Sequence, residues 1–286
     1  MSIYFKARAK VNLALRVLGR RPDGYHELDS VMARLGLADR LRLDLAGAGP
    51  DRLTARTGLA AALPPGFEGP ANLALAAVQA YRDETGWPEV AVNITLEKNI
   101  PWAAGLGGGS ADGAAVLAAL NRAAPEPLPA PRLAALALAL GADLPFCLAG
   151  AALARAGGVG EKLSAPPPAF EFFRGRKLWL IKPDFSLATA RVFANLGLTN
   201  PPPENTLGGA PQPGENDLLA PALRLTPALD EAVRAVRALK PVVWGLSGSG
   251  PTFWLHGPEA DPALLARTRP NWWVRAVSVI GASSSG

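Results

Sequence analysis

Pro101-Trp102-Ala103-Ala104-Gly105-Leu106-Gly107-Gly108-Gly109-Ser110-Ala111 is the stretch on which the reading of this chain turns. Just upstream, Val90, Val92, Ile94 and Leu96 alternate with other residues at the period of a strand. Just downstream, Ser110 to about Arg122 reads as a helix. A glycine run in that position lets backbone N–H groups approach phosphate oxygens, and the positive end of the following helix favours their charge. No Gly-Lys-Ser/Thr follows, so this is not a Walker loop. Counting from Gly105 puts Ser110 where a dinucleotide fingerprint needs its third glycine or alanine, which argues against a dehydrogenase.

Working outward, Ala9, Val11, Leu13, Leu15 and Val17 alternate with Lys10, Asn12 and Arg16, so a strand with one buried face is expected, with Lys10 and Asn12 on the same side. Gly19 to Gly24 is turn chemistry, and Tyr25 and His26 sit just beyond it. A strand is expected at Leu41–Leu45 and a helix at Ala71–Thr85 that Gly86 ends. Leu133–Leu140 reads as a buried helix, and Asp143 falls in the turn after Gly141, followed by a buried second segment. The apolar run from Leu133 to Ala154 is not a membrane span, because Asp143 lies at its centre and Gly141 and Pro145 interrupt it. Pro166–Pro168 is the expected domain boundary. Beyond it come a strand at Lys177–Lys182, a Pro/Gly-rich loop at Asn200–Gly214 and a helix at Leu229–Leu239. Strand structure within Val242–His256, a short helix near Pro262–Thr268, a strand at Val274–Ile280 and a frayed tail from Ala282 complete the chain.

The 286 residues are 49% hydrophobic and 19% charged, which fits a folded chain of one large or two close-packed domains and excludes a disordered or fibrous one. A net charge of +5 suits anionic ligands, but no basic run marks a nucleic-acid arm. Cys147 is the one cysteine, and only His26 and His256 could join it, so neither an internal disulfide nor a structural zinc site is expected. The N-terminus has no signal-peptide pattern, and a reducing cytoplasm is the expected compartment. Trp244, Trp254, Trp272 and Trp273 are expected to pack the second lobe.

Three blocks in order, Ala9–Leu13, Pro101–Ala111 and Gly245-Leu246-Ser247-Gly248-Ser249-Gly250-Pro251, resemble the three motifs of the GHMP kinases, the family of galactokinase, homoserine kinase and mevalonate kinase. The resemblance runs from Lys6 to about Val277. It implies an α+β fold of two lobes, a ribosomal-protein-S5-like N-terminal one (residues 1–165) and a ferredoxin-like C-terminal one (166–286). It also implies ATP-dependent phosphoryl transfer with Mg²⁺. Gly19–Leu28 and Gly141–Phe146 are similar to the blocks of the branch whose small acceptor carries a cytidyl group and is phosphorylated on a 2-hydroxyl, in the non-mevalonate route to isoprenoids.

By the same resemblance Asp143 faces the attacking hydroxyl and Lys10 steadies charge, the parts that phosphoryl transfer requires. Pro101, Ala103, Gly105, Leu106, Gly107, Gly108, Gly109, Ser110 and Ala111 form the ATP loop. Lys98 contacts nucleotide or substrate, and Asn72 is either an adenine-side contact or a helix cap. Because Ala111 follows Ser110, any protein contact to the metal rests on Ser110 alone. Asn12 is a substrate contact, His26 meets the cytosine edge and Tyr25 its face, with Phe193 or Phe185 opposite. A homoserine or mevalonate kinase would have no base for Tyr25 and His26 to meet. A non-catalytic module binding nucleic acid would have no use for Lys10 and Asp143. No nucleic-acid, membrane or obligate protein partner is expected.

Overall fold

The computed structural model describes residues 2–45, 47–59, 62–197 and 209–281. Most of the expected loop at Asn200–Gly214, and the tail at 282–286, lie outside the described residues. In chain order the described elements are β1 (Ser2–Arg20), β2 (His26–Leu45), β3 (Arg52–Thr57), α1 (Leu73–Thr85), β4 (Val92–Lys98), α2 (Gly108–Ala123), α3 (Ala130–Leu140), α4 (Leu144–Ala149), β5 (Leu153–Gly158) and β6 (Lys162–Ser164). Then follow α5 (Pro168–Glu171), β7 (Lys177–Lys182), α6 (Thr189–Ala194), α7 (Leu219–Leu225), α8 (Ala228–Ala238), β8 (Pro241–Leu246), β9 (Phe253–Pro258), α9 (Ala263–Thr268) and β10 (Trp273–Ser278). The chain divides into two compact units, each discontinuous: Met1–Ala9, Leu37–Trp102 and Gly107–Gly150 in the first, Lys10–Gly36, Ala103–Leu106 and Ala151–Gly286 in the second. The paired strands β1 and β2 each contribute to both units, and Pro166–Pro168 falls inside the second rather than at a boundary.

In the first unit the outer half of β2 pairs antiparallel with β4, from Arg40 opposite Glu97 to Leu45 opposite Val92. β3 lies parallel on the other side of β4. Alternation works as the sequence leads one to expect: Leu41 and Leu43 of β2 and Val92, Ile94 and Leu96 of β4 turn inward. Against them pack Ala74, Ala77, Val78 and Tyr81 of α1 and Val116, Leu117 and Leu120 of α2. Small residues let these helices approach closely; a Cβ at Gly113 of α2 would lie 3.0 Å from the Leu73 carbonyl oxygen. Asn72 caps α1, its Oδ1 accepting the Ala74 N–H, and Gly86 ends it in the left-handed conformation. The Ala-rich α3 differs from its expectation: Leu133 and Ala137 are buried and most of the helix faces solvent. Alanines offer little surface to drive burial, so two positions a turn apart are enough to seat it.

The second unit has an antiparallel sheet in the order β10-β7-β9-β8. The inner half of β2 pairs with β5, which pairs with β6. Helix α8 places Leu229, Ala232, Val233 and Val236 on one stripe, and these meet Ile181, Leu246, Phe253 and Leu255 of the sheet. Burial of Leu229, Val233 and Val236, about 1.5–3 kcal/mol each, holds the helix down. Trp254 is fully buried and Trp244 and Trp272 pack beside this core.

The expectation of one buried face on β1 is corrected: Ala9 to Leu15 are buried without interruption. The edge of β1 is also paired by chain from far along the sequence. The Gly214 N–H donates to the Leu13 carbonyl, the Leu15 N–H to the Glu215 carbonyl and the Asp217 N–H to the Leu15 carbonyl. Asp217 also accepts the Val17 N–H, and Arg16 makes a two-pronged pair with Glu215.

In the first unit, Tyr81 is fully buried and its hydroxyl donates to Asn121 Oδ1 at 2.8 Å, joining α1 to α2. Tyr81→Phe removes that bond while Asn121 keeps the Leu128 N–H. Thermal unfolding is expected to show a loss of about 1 kcal/mol, or roughly 2–4 °C.

Candidate active site

Three sequence blocks, each more than ninety residues from the next, meet in the second unit. The Lys10 N–H donates to the Leu106 carbonyl at 3.0 Å, joining β1 to the glycine-rich loop. The Ser247 hydroxyl donates to the Gly105 carbonyl at 2.8 Å and accepts the Asn12 N–H at 3.2 Å. Gly105 has φ +74°, and a Cβ there would lie 2.2 Å from the Ser247 carbonyl oxygen and 3.0 Å from that of Gly250. Only glycine fits both the conformation and the space.

Side chains continue the convergence. Lys10 is buried, and its Nζ donates to Asn12 Oδ1 at 2.8 Å; Asn12 Nδ2 donates to Ser30, whose hydroxyl donates to the Ala14 carbonyl. A Cβ on Gly248 would stand 3.5 Å from Asn12 Oδ1 and 3.7 Å from Lys10 Nζ, so bare backbone faces that pair. Trp254 donates its ring N–H to the Asn12 carbonyl, and Asn216 Nδ2 donates to the carbonyls of Leu246 and Gly248. Ser30 and Asn216 were not singled out from the sequence, and Trp254 was read as core packing alone. Among them only Ser30 carried a local signal, a hydroxyl shortly after the Tyr25-His26 block.

In the first unit the loop leads into α2, whose N-cap is Gly107 in the left-handed conformation with no side-chain cap. The first N–H groups of a helix have no acceptor within it, so Gly108, Gly109 and Ser110 present donors at its positive end. Asp143 precedes α4, and its carboxylate does not cap that helix. The next residue, Leu144, is seated on α2, with Cδ2 3.3 Å from where a Cβ of Gly113 would lie. Asp143 is thereby fixed next to the helix that starts at the glycines.

Lys98 corrects an expectation. It is 2% exposed, and its Nζ is held by Asp112 at 2.9 Å and by Asp39 in a shorter contact, so it faces protein carboxylates and not an open site. Its parity explains this: it continues the inward series Val92, Ile94, Leu96, while Asp39 sits in the inward series of β2 between Leu37 and Leu41. Burial works against the Lys98 charge, but the pull of Asp112 and Asp39 outweighs it and holds the group above the ordinary lysine range. Burial, with the neighbouring Asp39, pushes Asp112 up to about 8 against the opposing pull of Lys98. Asn72 resolves too: Oδ1 caps α1 and Nδ2 donates to the Phe67 carbonyl, so both amide ends serve the fold.

His26, half-buried at the start of β2, packs its ring on Phe193 at 4.8 Å between centroids, tilted by 35°. Burial, with Arg20 nearby, lowers its pKa below the ordinary histidine value. Tyr25 beside it is 62% exposed, leaving a phenol face open. Phe193 rides on α6, whose first residue, Thr189, shares a 2.8 Å hydrogen bond with Ser249. Phe185 packs against the second core. Among the described residues no cluster of three or more His, Cys, Asp or Glu side chains could hold a metal, and no helix is long and apolar enough to cross a membrane.

The model of the GHMP kinases N terminal domain matches residues 72–151. A 4-diphosphocytidyl-2-C-methyl-D-erythritol kinase of Rhizobium etli is 38% identical across 96% of this chain and 94% of its own. The chain belongs to that kinase family. The Cereibacter sphaeroides member is 40% identical over 96% of this chain and 98% of its own. A solved 4-(cytidine 5'-diphospho)-2C-methyl-D-erythritol kinase superposes with a TM-score of 0.72 at 35% identity, covering 96% of this chain and 99% of that one. Homoserine kinase from Cytophaga hutchinsonii, at 18% identity and a TM-score of 0.64, shares the fold.

For Gly105→Ala, a positive φ on a residue with a Cβ costs about 1–3 kcal/mol and the collision with Ser247 adds to it. We expect a lower melting temperature and a fall in kcat/KM of roughly 100-fold or more, as displaced reacting groups lose alignment. Unchanged kinetics would show that the Gly105–Ser247 approach is dispensable.

Proposed function

We propose that the chain transfers the γ-phosphoryl group of ATP to the 2-hydroxyl of 4-diphosphocytidyl-2-C-methyl-D-erythritol, a step of the non-mevalonate route to isoprenoids. The observation that carries the reading is the meeting of Lys10 and Asn12 with the Gly105–Leu106 loop and the Ser247–Gly248 turn, in a chain so close to kinases of that name. The acceptor assignment draws also on the His26–Phe193 ring pair with Tyr25 exposed beside it, surfaces that suit a pyrimidine and have no purpose for a small aliphatic alcohol.

In this account the N–H groups of Gly108, Gly109 and Ser110 receive the ATP phosphates. The acceptor oxygen attacks the γ-phosphorus; the new O–P bond forms as the bond to the bridging oxygen breaks, and ADP leaves with that electron pair. Asp143 orients the hydroxyl and takes its proton. Lys10, steered by Asn12, offsets charge building on the transferring group. Asn12 contacts substrate, and His26 meets the cytosine edge between Tyr25 and Phe193. The described residues offer no acidic cage, so Mg²⁺ would be held chiefly by phosphate oxygens, with the Ser110 hydroxyl as the protein's contribution. When bound it supplies neutralisation of phosphate charge. We assign the activity to the cytoplasm, where the single thiol of Cys147 stays reduced.

Asp143→Asn tests the proton role: steady-state kcat is expected to fall by roughly 10²–10⁴ while ATP affinity stays within about threefold. Near-normal turnover would remove Asp143 from the mechanism. His26 gives a pH test. Its depressed pKa favours the neutral ring at pH 7, and it charges only as pH drops below 6.5. The acceptor KM is therefore expected to be flat from about pH 6.5 to 8 and to rise in more acid solution. In His26→Ala it should be raised by roughly 10–100-fold and lose that acid limb, with the ATP KM unchanged.

A further inference from the structure

One buried charge cluster is left over by this mechanism, and it spans both ends of the glycine-rich loop. Asp39 occupies an inward position of β2, one step past the last registered pair, Arg40 with Glu97. Its two oxygens do different work. Oδ1 accepts the N–H groups of Asn99 and Ile100, at 2.6 and 2.8 Å, just where β4 gives way to Pro101 and the loop. Oδ2 takes the Lys98 ammonium, and that ammonium also binds Asp112 at 2.9 Å, one turn into α2. Lys98 Nζ also lies 3.1 Å from where a Cβ of Gly108 would stand, so it fills the space beneath the first residue of the helix.

We propose that Asp39 is a positioning residue for the ATP loop, fixing through one carboxylate the strand exit at Asn99–Ile100 and, through Lys98 and Asp112, the start of α2. The loop of residues 101–107 is bounded by these two anchors. If both are fixed, the N–H groups of residues 108–110 keep one direction before nucleotide arrives, which is the preorganisation that electrostatic stabilisation of phosphate requires. Burying an ammonium and two carboxyl groups is costly, and an apolar trio would fill the same space. What the polar trio adds is direction: a carboxylate with two backbone N–H groups on one oxygen and an ammonium on the other tolerates little rotation.

The first unit contains its own control. At the opposite end of β4, Asp51 holds Arg82 through both oxygens and accepts the Val92 N–H, a clamp of similar make far along the strand from the loop. Asp39→Asn and Asp51→Asn are compared by melting temperature, by KM for ATP and for the acceptor, and by calorimetric affinity for a non-hydrolysable ATP analogue. Both variants are expected to melt lower. Asp39→Asn should raise the ATP KM and the analogue Kd at least 10-fold with the acceptor KM within about twofold, whereas Asp51→Asn should leave both KM values within about twofold. If Asp39→Asn changes only the melting temperature, or raises both KM values equally, the proposal is overturned. Should it fail to fold, Lys98→Arg carries the same test, because it keeps the charge but crowds Gly108. The proposal rests on the reading of this loop and the start of α2 as the ATP site, which Gly109→Val, placed in the first turn of α2, tests separately. An ATP KM unmoved there overturns the loop reading and the proposal together; one raised there but not in Asp39→Asn overturns the clamp alone.

Discussion

The close approach of Gly105 to the Ser247 carbonyl is the constraint on which the second unit's chemistry depends. Two backbones run so near each other that no side-chain atom fits, and the hydroxyl of Ser247 bridges the remaining polar groups by donating to one loop and accepting from β1. Lys10 inherits its place from this knot, because its own N–H is tied to Leu106 while its ammonium is turned onto Asn12. The knot is buried on both sides, so each polar group in it must find a partner or lose about 1–3 kcal/mol. Ser30, Asn216 and the ring N–H of Trp254 answer that demand.

Each unit buries a lysine. In the second, Asn12 accepts from Lys10 and passes the network on to Ser30. In the first, Lys98 lies between two carboxylates in the core register of the sheet. A cation held between two carboxyl groups in a core is suited to holding structure. Sheet register, and not sequence proximity to the glycines, decides what Lys98 faces.

Much of this was legible in the sequence because it was local. Asn72 and Gly86 marked the ends of α1, the spacing of Leu229, Val233 and Val236 marked α8, and the alternation of β1 put Lys10 and Asn12 on one side. The parity that buries Lys98 was also present, continuing from Val92 through Leu96, but proximity to the glycines suggested a ligand contact instead. What could not be read was set by distant chain. The edge of β1 is paired by residues 214–217, α3 found only two buried anchors, and the partner of His26 lies on α6. The three prolines at 166–168 suggested a domain boundary, but β1 and β2 run through both units, so the division of the chain cuts across strands and not between segments.

The central claim is the identity of the phosphoryl acceptor, and the most direct measurement is phosphorus NMR of the products formed from Mg-ATP with the diphosphocytidyl-methylerythritol, homoserine or mevalonate offered in parallel. ADP and a new phosphomonoester on the 2-oxygen of the cytidyl compound alone are expected. A phosphomonoester on homoserine or mevalonate, with the cytidyl compound untouched, would contradict it.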